Sequence, residues 1–274
     1  MRPLQGKTVL ITGGTAGIGK ACAEAMLTAG AEAVVINGRS RDQGERAVSA
    51  LTDRLPEARI ALALGDMTQV ADAEAVVAAA IEKLGRIDVL VNSTGTNDFP
   101  TLLHKIALED IPGILQRCLT AQLLSCRAVL PHMRAANTGC IINIASDAAK
   151  IPTPGETVIG AAMAGIVMFT RALAIEGKRN GIRANVLTPS IVGGTEFYER
   201  IMADPFAGKL FGKAGAEGRT WPGRHGRPGR NRSFSGLPGS QQNDRSGFER
   251  NRGHFGTLNS VDAGLGDAHC GIGK

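Results

Sequence analysis

The chain has little of several things that would assign it at once. Its five cysteines, Cys22, Cys118, Cys126, Cys140 and Cys270, fall with no metal-ligand spacing, so no metal centre is expected and reduced, buried thiols are. No run of about 18 apolar residues is read as a bilayer span, and residues 1–7 enter a strand without a secretory apolar segment; a cytoplasmic protein with no membrane partner is expected. There is one tyrosine, Tyr198. The first 206 residues also lack any charge excess, holding 20 Lys and Arg against 20 Asp and Glu. The formal net charge of +6 comes from residues 207–274, with 11 Lys and Arg against 5 Asp and Glu. A basic protein invites nucleic acid as a partner, but an excess confined to the last quarter argues against one.

What remains is a regular alternation. Short apolar runs at 8–11, 33–37, 60–64, 89–92, 140–145 and 183–187 read as strands. Amphipathic stretches at 20–29, 41–54, 70–84, 108–135 and 157–179 read as helices between them. This is the pattern of an α/β fold, a doubly wound parallel sheet of the Rossmann type with helices on both faces, and a single domain over 1–206. Such a sheet places its ligand across the carboxyl ends of the strands, where the strand order reverses.

Residues 12–19 read T-G-G-T-A-G-I-G, between the first strand and the first helix. A buried strand delivers the chain to a turn where side chains would block a cofactor, and the following helix aims its unsatisfied N–H groups at a pyrophosphate. The spacing of Gly13, Gly17 and Gly19 resembles the short-chain dehydrogenase/reductase family, and the resemblance covers roughly residues 5–200. It implies that Gly13, Thr15, Gly17, Ile18 and Gly19 cradle a nicotinamide dinucleotide. The second strand ends Asn37-Gly38-Arg39, with no acid to bind the ribose hydroxyls and repel a 2′-phosphate; Arg39 suits NADP rather than NAD. By the same resemblance Asp66 and Met67 stand at the adenine, the carboxylate otherwise being a cap for the turn that follows. Asn92 and Gly95 lie beside the adenosine ribose and central sheet, Pro189 faces the nicotinamide, and Thr195 contacts its carboxamide.

The catalytic signature departs from the family's. The family moves hydride between nicotinamide and a carbonyl or alcohol carbon using Asn, Ser, Tyr and Lys. Ser146 matches the serine, or is simply a strand-end hydroxyl. Ile159 stands where the tyrosine belongs, Met163 where the lysine belongs, and Cys118 where the asparagine belongs. Isoleucine and methionine can neither donate a proton nor carry a charge. Two readings follow: an NADP-linked oxidoreductase of a small carbonyl or alcohol with altered chemistry, or a family member that binds cofactor without turnover. Tyr198 and Lys150 are candidate replacements, each also an ordinary lid or surface residue. The family implies a homodimer or homotetramer through the two long helices.

Residues 208–274 are dense in Gly, Arg, Asn and Ser without helix or strand period, and read as disordered. An arginine- and glycine-rich RNA-binding tail with stacking Phe234, Phe248 and Phe255 is one alternative. A shifted reading frame is another. Gly229-Arg230-Asn231-Arg232 can be encoded by GGA AGA AAT CGC, which one base later gives Glu-Glu-Ile-Ala. Leu237-Pro238-Gly239, as CTT CCT GGC, gives Phe-Leu-Ala in the same shifted frame. Both are what the family carries near these points, at its usual separation, which places a frameshift upstream of Arg227.

Overall fold

The computed structural model describes residues 2–95 and 98–216. Six strands, β1 (Thr8–Thr12), β2 (Ala33–Gly38), β3 (Arg59–Leu64), β4 (Val89–Asn92), β5 (Gly139–Ile144) and β6 (Ile182–Leu187), form one sheet. All five pairings are parallel, in the order β3-β2-β1-β4-β5-β6. Consecutive parallel strands need crossovers, and these are the helices α1 (Gly17–Thr28), α2 (Arg41–Arg54), α3 (Val70–Leu84), the pair α4 (Asp110–Leu115) and α5 (Ala121–Ala136), and α6 (Thr157–Gly177). The order reverses between β1 and β4, so a crevice opens there at the strands' carboxyl ends. This is the doubly wound fold expected, with every strand within one residue of its sequence-derived ends.

The sheet is sealed on both faces because its central strands carry runs of apolar side chains with polar residues kept to their ends. All five residues of β1 are buried. One face packs Leu10, Val35, Leu90 and Ile141 against α3 and α5; the other packs Val9, Ile11, Val34, Ile36 and Val91 against α1 and α2. Where β1, β4 and β5 end, three polar residues fall into line, since Thr12 pairs with Asn92 and Asn92 with Asn143. The Asn92 amide accepts from Thr12 Oγ1 at 3.0 Å and Ser125 Oγ at 2.7 Å, and donates to Asn143 Oδ1 at 2.8 Å and Cys126 Sγ at 3.2 Å. Asn143 in turn donates to Thr170 Oγ1 of α6 at 2.8 Å. The network ties three strands to α5 and α6, and burial there pushes the Cys126 thiol up to about 12.

The structure differs from the sequence reading in three places. The long helix expected at 108–135 is interrupted by a π turn, Gln116–Thr120, between α4 and α5. Two helices follow β6, α7 (Glu196–Ala203) and α8 (Ala207–Ala216). The second runs ten residues beyond the expected boundary at 206. It forms there because Asp204 Oδ1 caps its start, accepting from the amides of Phe206 at 2.9 Å and Ala207 at 2.7 Å, and because Ala207 is buried. Finally, Thr157–Asn180 is long and apolar enough by composition to cross a membrane, against the expectation of no such run. One of its faces, with Ile166 and Leu173, lies in the protein's own core, and Arg171 and Glu176 interrupt its apolar sequence. Of the cysteines, Cys22, Cys118, Cys126 and Cys140 remain thiols. Cys270 and the disorder, RNA-binding and frameshift expectations from residue 217 onward lie outside the described residues.

Asn92→Ala leaves Thr12, Ser125 and Asn143 short of buried partners. A loss of about 3 kcal/mol is expected, since each orphaned buried group costs about 1–3 kcal/mol. Urea unfolding with an unchanged slope and a lowered midpoint is the measurement; a midpoint within error of the wild type refutes the network's importance.

Candidate active site

The turn after β1 is built around positions that exclude a side chain. Gly13 has φ +65°, and a Cβ on it would lie 2.5 Å from the Ser93 carbonyl oxygen of the loop after β4. A Cβ on Gly19 would strike the Gly13 carbonyl. Gly17 opens α1 at φ +50°, and the methyl of Thr195 is 3.9 Å from where its Cβ would be. The helix start therefore faces the switch point with bare backbone, as an anionic pyrophosphate requires. Beside it the Thr94 hydroxyl is buried with no hydrogen-bond partner among the described residues. Both observations fit a dinucleotide.

At the ends of β2 and β3, Thr15 lies against Gly38, whose Cβ would come 2.5 Å from the threonine methyl. Arg39 Nη1 stands 3.8 Å from Asp66 Oδ2, its side chain 67% exposed. A pair this long and this wet contributes little, so Arg39 keeps its capacity for a phosphate. Asp66 takes the capping role considered for it and also faces Arg39. Its Oδ1 caps the amide of Thr68 at 3.0 Å while Oδ2 faces Arg39. Burial works to raise this carboxyl, but the Thr68 amide and hydroxyl and the Arg39 guanidinium outweigh it and hold it below the usual carboxylate range.

Several expected contacts need revision. The Asn92 side chain is wholly committed inside the sheet, and Met67 is buried in the core against α3, so neither side chain faces a ligand. Ile18 packs partly against the α1 face of the core. These residues meet a cofactor through backbone or not at all. Thr195 uses its hydroxyl to cap α7, accepting from the Tyr198 amide and donating to Val192 O, both at 3.0 Å. Gly95 is exposed with open space around it, whereas the close approach falls at Gly13. Pro189 O accepts from the Asp147 amide at 2.9 Å, which joins the loop after β6 to the turn 147–149 after β5.

Ser146 ends that strand as a cap. Its Oγ accepts from Ala148 N and donates to Asp147 Oδ1, both at 3.2 Å. Behind it, Cys118, Ile159 and Met163 are buried in one apolar cluster with Ile114, Val158, Ala162 and Ile166. The structure thus brings together the three positions at which the sequence was expected to depart from the family's catalytic set, and the space there is filled with hydrocarbon and a thiol. Lys150 reaches sideways, Nζ donating to Thr188 Oγ1 at 2.7 Å.

Features without a sequence signal complete the site. Arg117 of the π turn holds Asp98 through two hydrogen bonds, at 2.6 and 3.0 Å, which fixes the segment after β4. Phe99 lies 6.1 Å from Phe197 of α7, with Arg200 5.3 Å above its ring. Thr101 N donates to Gly155 O at 2.8 Å, and Phe206 at the start of α8 lies over Gly155. Next to it the Glu156 carboxyl is raised by burial and by the Asp147 charge, with a Thr153 hydrogen bond acting the other way.

Comparison with known proteins agrees with this geometry. The family model for short chain dehydrogenases matches residues 7–205. The 3-oxoacyl-[acyl-carrier-protein] reductase FabG of Chlamydia pneumoniae is 36% identical over 190 residues, covering 69% of this chain and 75% of the relative. Among solved structures, levodione reductase superposes with a TM-score of 0.69 at 29% identity, covering 73% of this chain and 76% of that one. The 3-ketoacyl-(acyl-carrier-protein) reductase from Brucella melitensis, complexed with NADH, does so at 0.66 and 30% identity, covering 72% and 80%. With the glycine turn, the strand order and these relatives in agreement, the chain belongs to the short chain dehydrogenase family and is an oxidoreductase of that type.

Proposed function

We propose that the protein is an NADP(H)-linked cytoplasmic reductase or dehydrogenase of a small carbonyl or alcohol. The observation that carries this reading is the start of α1, where Gly17 at φ +50° opens the helix with free space beside it and leaves bare backbone where a pyrophosphate binds. Gly13, Thr15, Gly17 and Gly19 would hold the phosphates, Arg39 the 2′-phosphate, and Asp66 the adenine side. When bound, the nicotinamide supplies or accepts the hydride. Ser146, at the carboxyl end of β5, is placed to hold the substrate oxygen, while the Phe99–Phe197 pair and α8 keep water from the opening. The enzymes among the relatives weigh against the non-catalytic reading. Arg39→Ala is expected to weaken NADPH binding about 10- to 100-fold and leave NADH nearly unchanged, because only the 2′-phosphate is lost as a partner. Calorimetric titration of both cofactors tests this; equal loss for both, or a wild-type preference for NADH, refutes the assignment.

We also propose that the protein is a homodimer or homotetramer through α5 and α6. Met168 and Ile175, at 61% and 77% exposure, continue the apolar surface of α6 away from its own core. Met168→Glu with Ile175→Glu is expected to convert the assembly to monomers in light scattering; an unchanged mass sends the interface elsewhere.

A further inference from the structure

Hydride delivered to a carbonyl leaves an alkoxide, and the oxygen needs a proton that Ile159 and Met163 cannot give. The entry to α6 offers another source. Glu156 immediately precedes that helix, three residues before Ile159 and so one turn back along it. Its amide donates to Thr153 O at 3.1 Å, and its carbonyl accepts from Gly160 N at 2.6 Å. A Cβ on Gly160 would come 3.0 Å from the Ala148 carbonyl, so this helix start is pressed onto the turn that carries Ser146 and Asp147. From the other side Pro100 and Phe206 close over Gly155, where an added Cβ would meet them at about 3 Å. Glu156 is therefore half-buried between the Ser146 turn and the cover formed by α8.

We propose that Glu156 is the proton donor and acceptor of this site, acting beside Ser146 on the substrate oxygen in place of a phenol. The proposal rests on the oxidoreductase reading above. In reduction, the carbonyl carbon gains hydride from the reduced nicotinamide, the C=O π bond breaks, and its electrons take the proton from the Glu156 carboxyl. The products are the alcohol, the oxidised cofactor and a Glu156 carboxylate, which water reprotonates; oxidation is the reverse.

The charges around Glu156 agree with the task. Burial and Asp147 on the facing turn both favour the neutral acid, against one hydrogen bond from Thr153. The other charges on the packed elements are engaged elsewhere: Lys150 with Thr188, Asp98 with Arg117, Asp204 with the α8 cap, and Arg200 over Phe99. Because reduction needs the protonated form, its rate should be highest on the acid side and fall as pH rises through the raised pKa.

The test uses the full chain, with glutamate labelled by carbon-13 at the carboxyl, and the variants Glu156→Gln and Glu156→Asp. In apo protein one carboxyl resonance is expected to titrate above the ordinary glutamate range and to vanish in Glu156→Gln. With NADPH and either 2,3-butanedione or an acetoacetyl thioester as probe, Glu156→Gln should lower kcat about 100-fold and flatten the pH profile. NADPH affinity should stay within about twofold. Glu156→Asp should keep the descending limb. Absence of the resonance, an unchanged rate and profile in Glu156→Gln, or wild-type protein that binds NADPH yet reduces neither probe overturns the proposal. A protein that binds neither NADPH nor NADH overturns the oxidoreductase reading itself, and this proposal with it.

Discussion

The Asn92 amide is the point from which the rest of the architecture is fixed. It lies at the end of a strand with no side-chain exposure, and both its oxygen and its nitrogen are used inside the protein. A buried polar group must be satisfied or it destabilises the fold, so the register of β1, β4 and β5 cannot slip without orphaning one of its partners. That register places Gly13 against Ser93 and leaves Ser146 just past the end of β5. The cofactor cradle and the substrate side of the cleft are thus positioned by one hydrogen-bond centre that touches neither.

Away from that centre, the cleft is assembled from segments that hold one another. The loop after β5 is tied to the loop after β6 by the Asp147 amide, and the segment after β4 is tied to the π turn by Arg117. The cover is apolar and aromatic, and beneath it the replaced positions Cys118, Ile159 and Met163 form a packed hydrocarbon wall. A wall of this kind excludes water, and exclusion of water raises the pKa of nearby carboxyls, which is the condition that makes a glutamate useful as a proton donor near neutral pH.

How much of this was legible in the sequence depends on how local the signal is. The strands were readable because buried parallel strands are continuous apolar runs, and the glycine turn because only glycine fits such backbone. The positions of Arg39 and Asp66 just past β2 and β3 followed from the strand ends alone. The commitment of Asn92 was not, since four partners from β1, α5 and β5 meet there only after folding, although polar residues at matching ends of three apolar strands were a usable hint. The capping role of Thr195 was not legible, because a threonine before Glu-Phe-Tyr serves equally as a ligand or as a helix cap, and its hydroxyl caps α7 here. Helix α8 was missed for the opposite reason: its three glycines, Gly208, Gly212 and Gly215, mask a helix that depends on an aspartate cap and on packing against α7. Glu156 carries no motif, and the upward shift of its carboxyl comes from burial and from Asp147, neither of which exists before folding.

The π turn at Gln116–Thr120 makes the alignment of α4 and α5 sensitive to chain length. A π turn holds one residue more than an α-turn, and each residue of a helix turns the following face by about 100°. The five residues here let Ile114 of α4 face the apolar wall while Ala121 and Cys126 of α5 face the sheet. Deleting any one of them would restore a regular helix and rotate one of the two faces out of alignment. The width of the cleft on that side is therefore set by a residue count, and side-chain substitutions along the segment leave it in place.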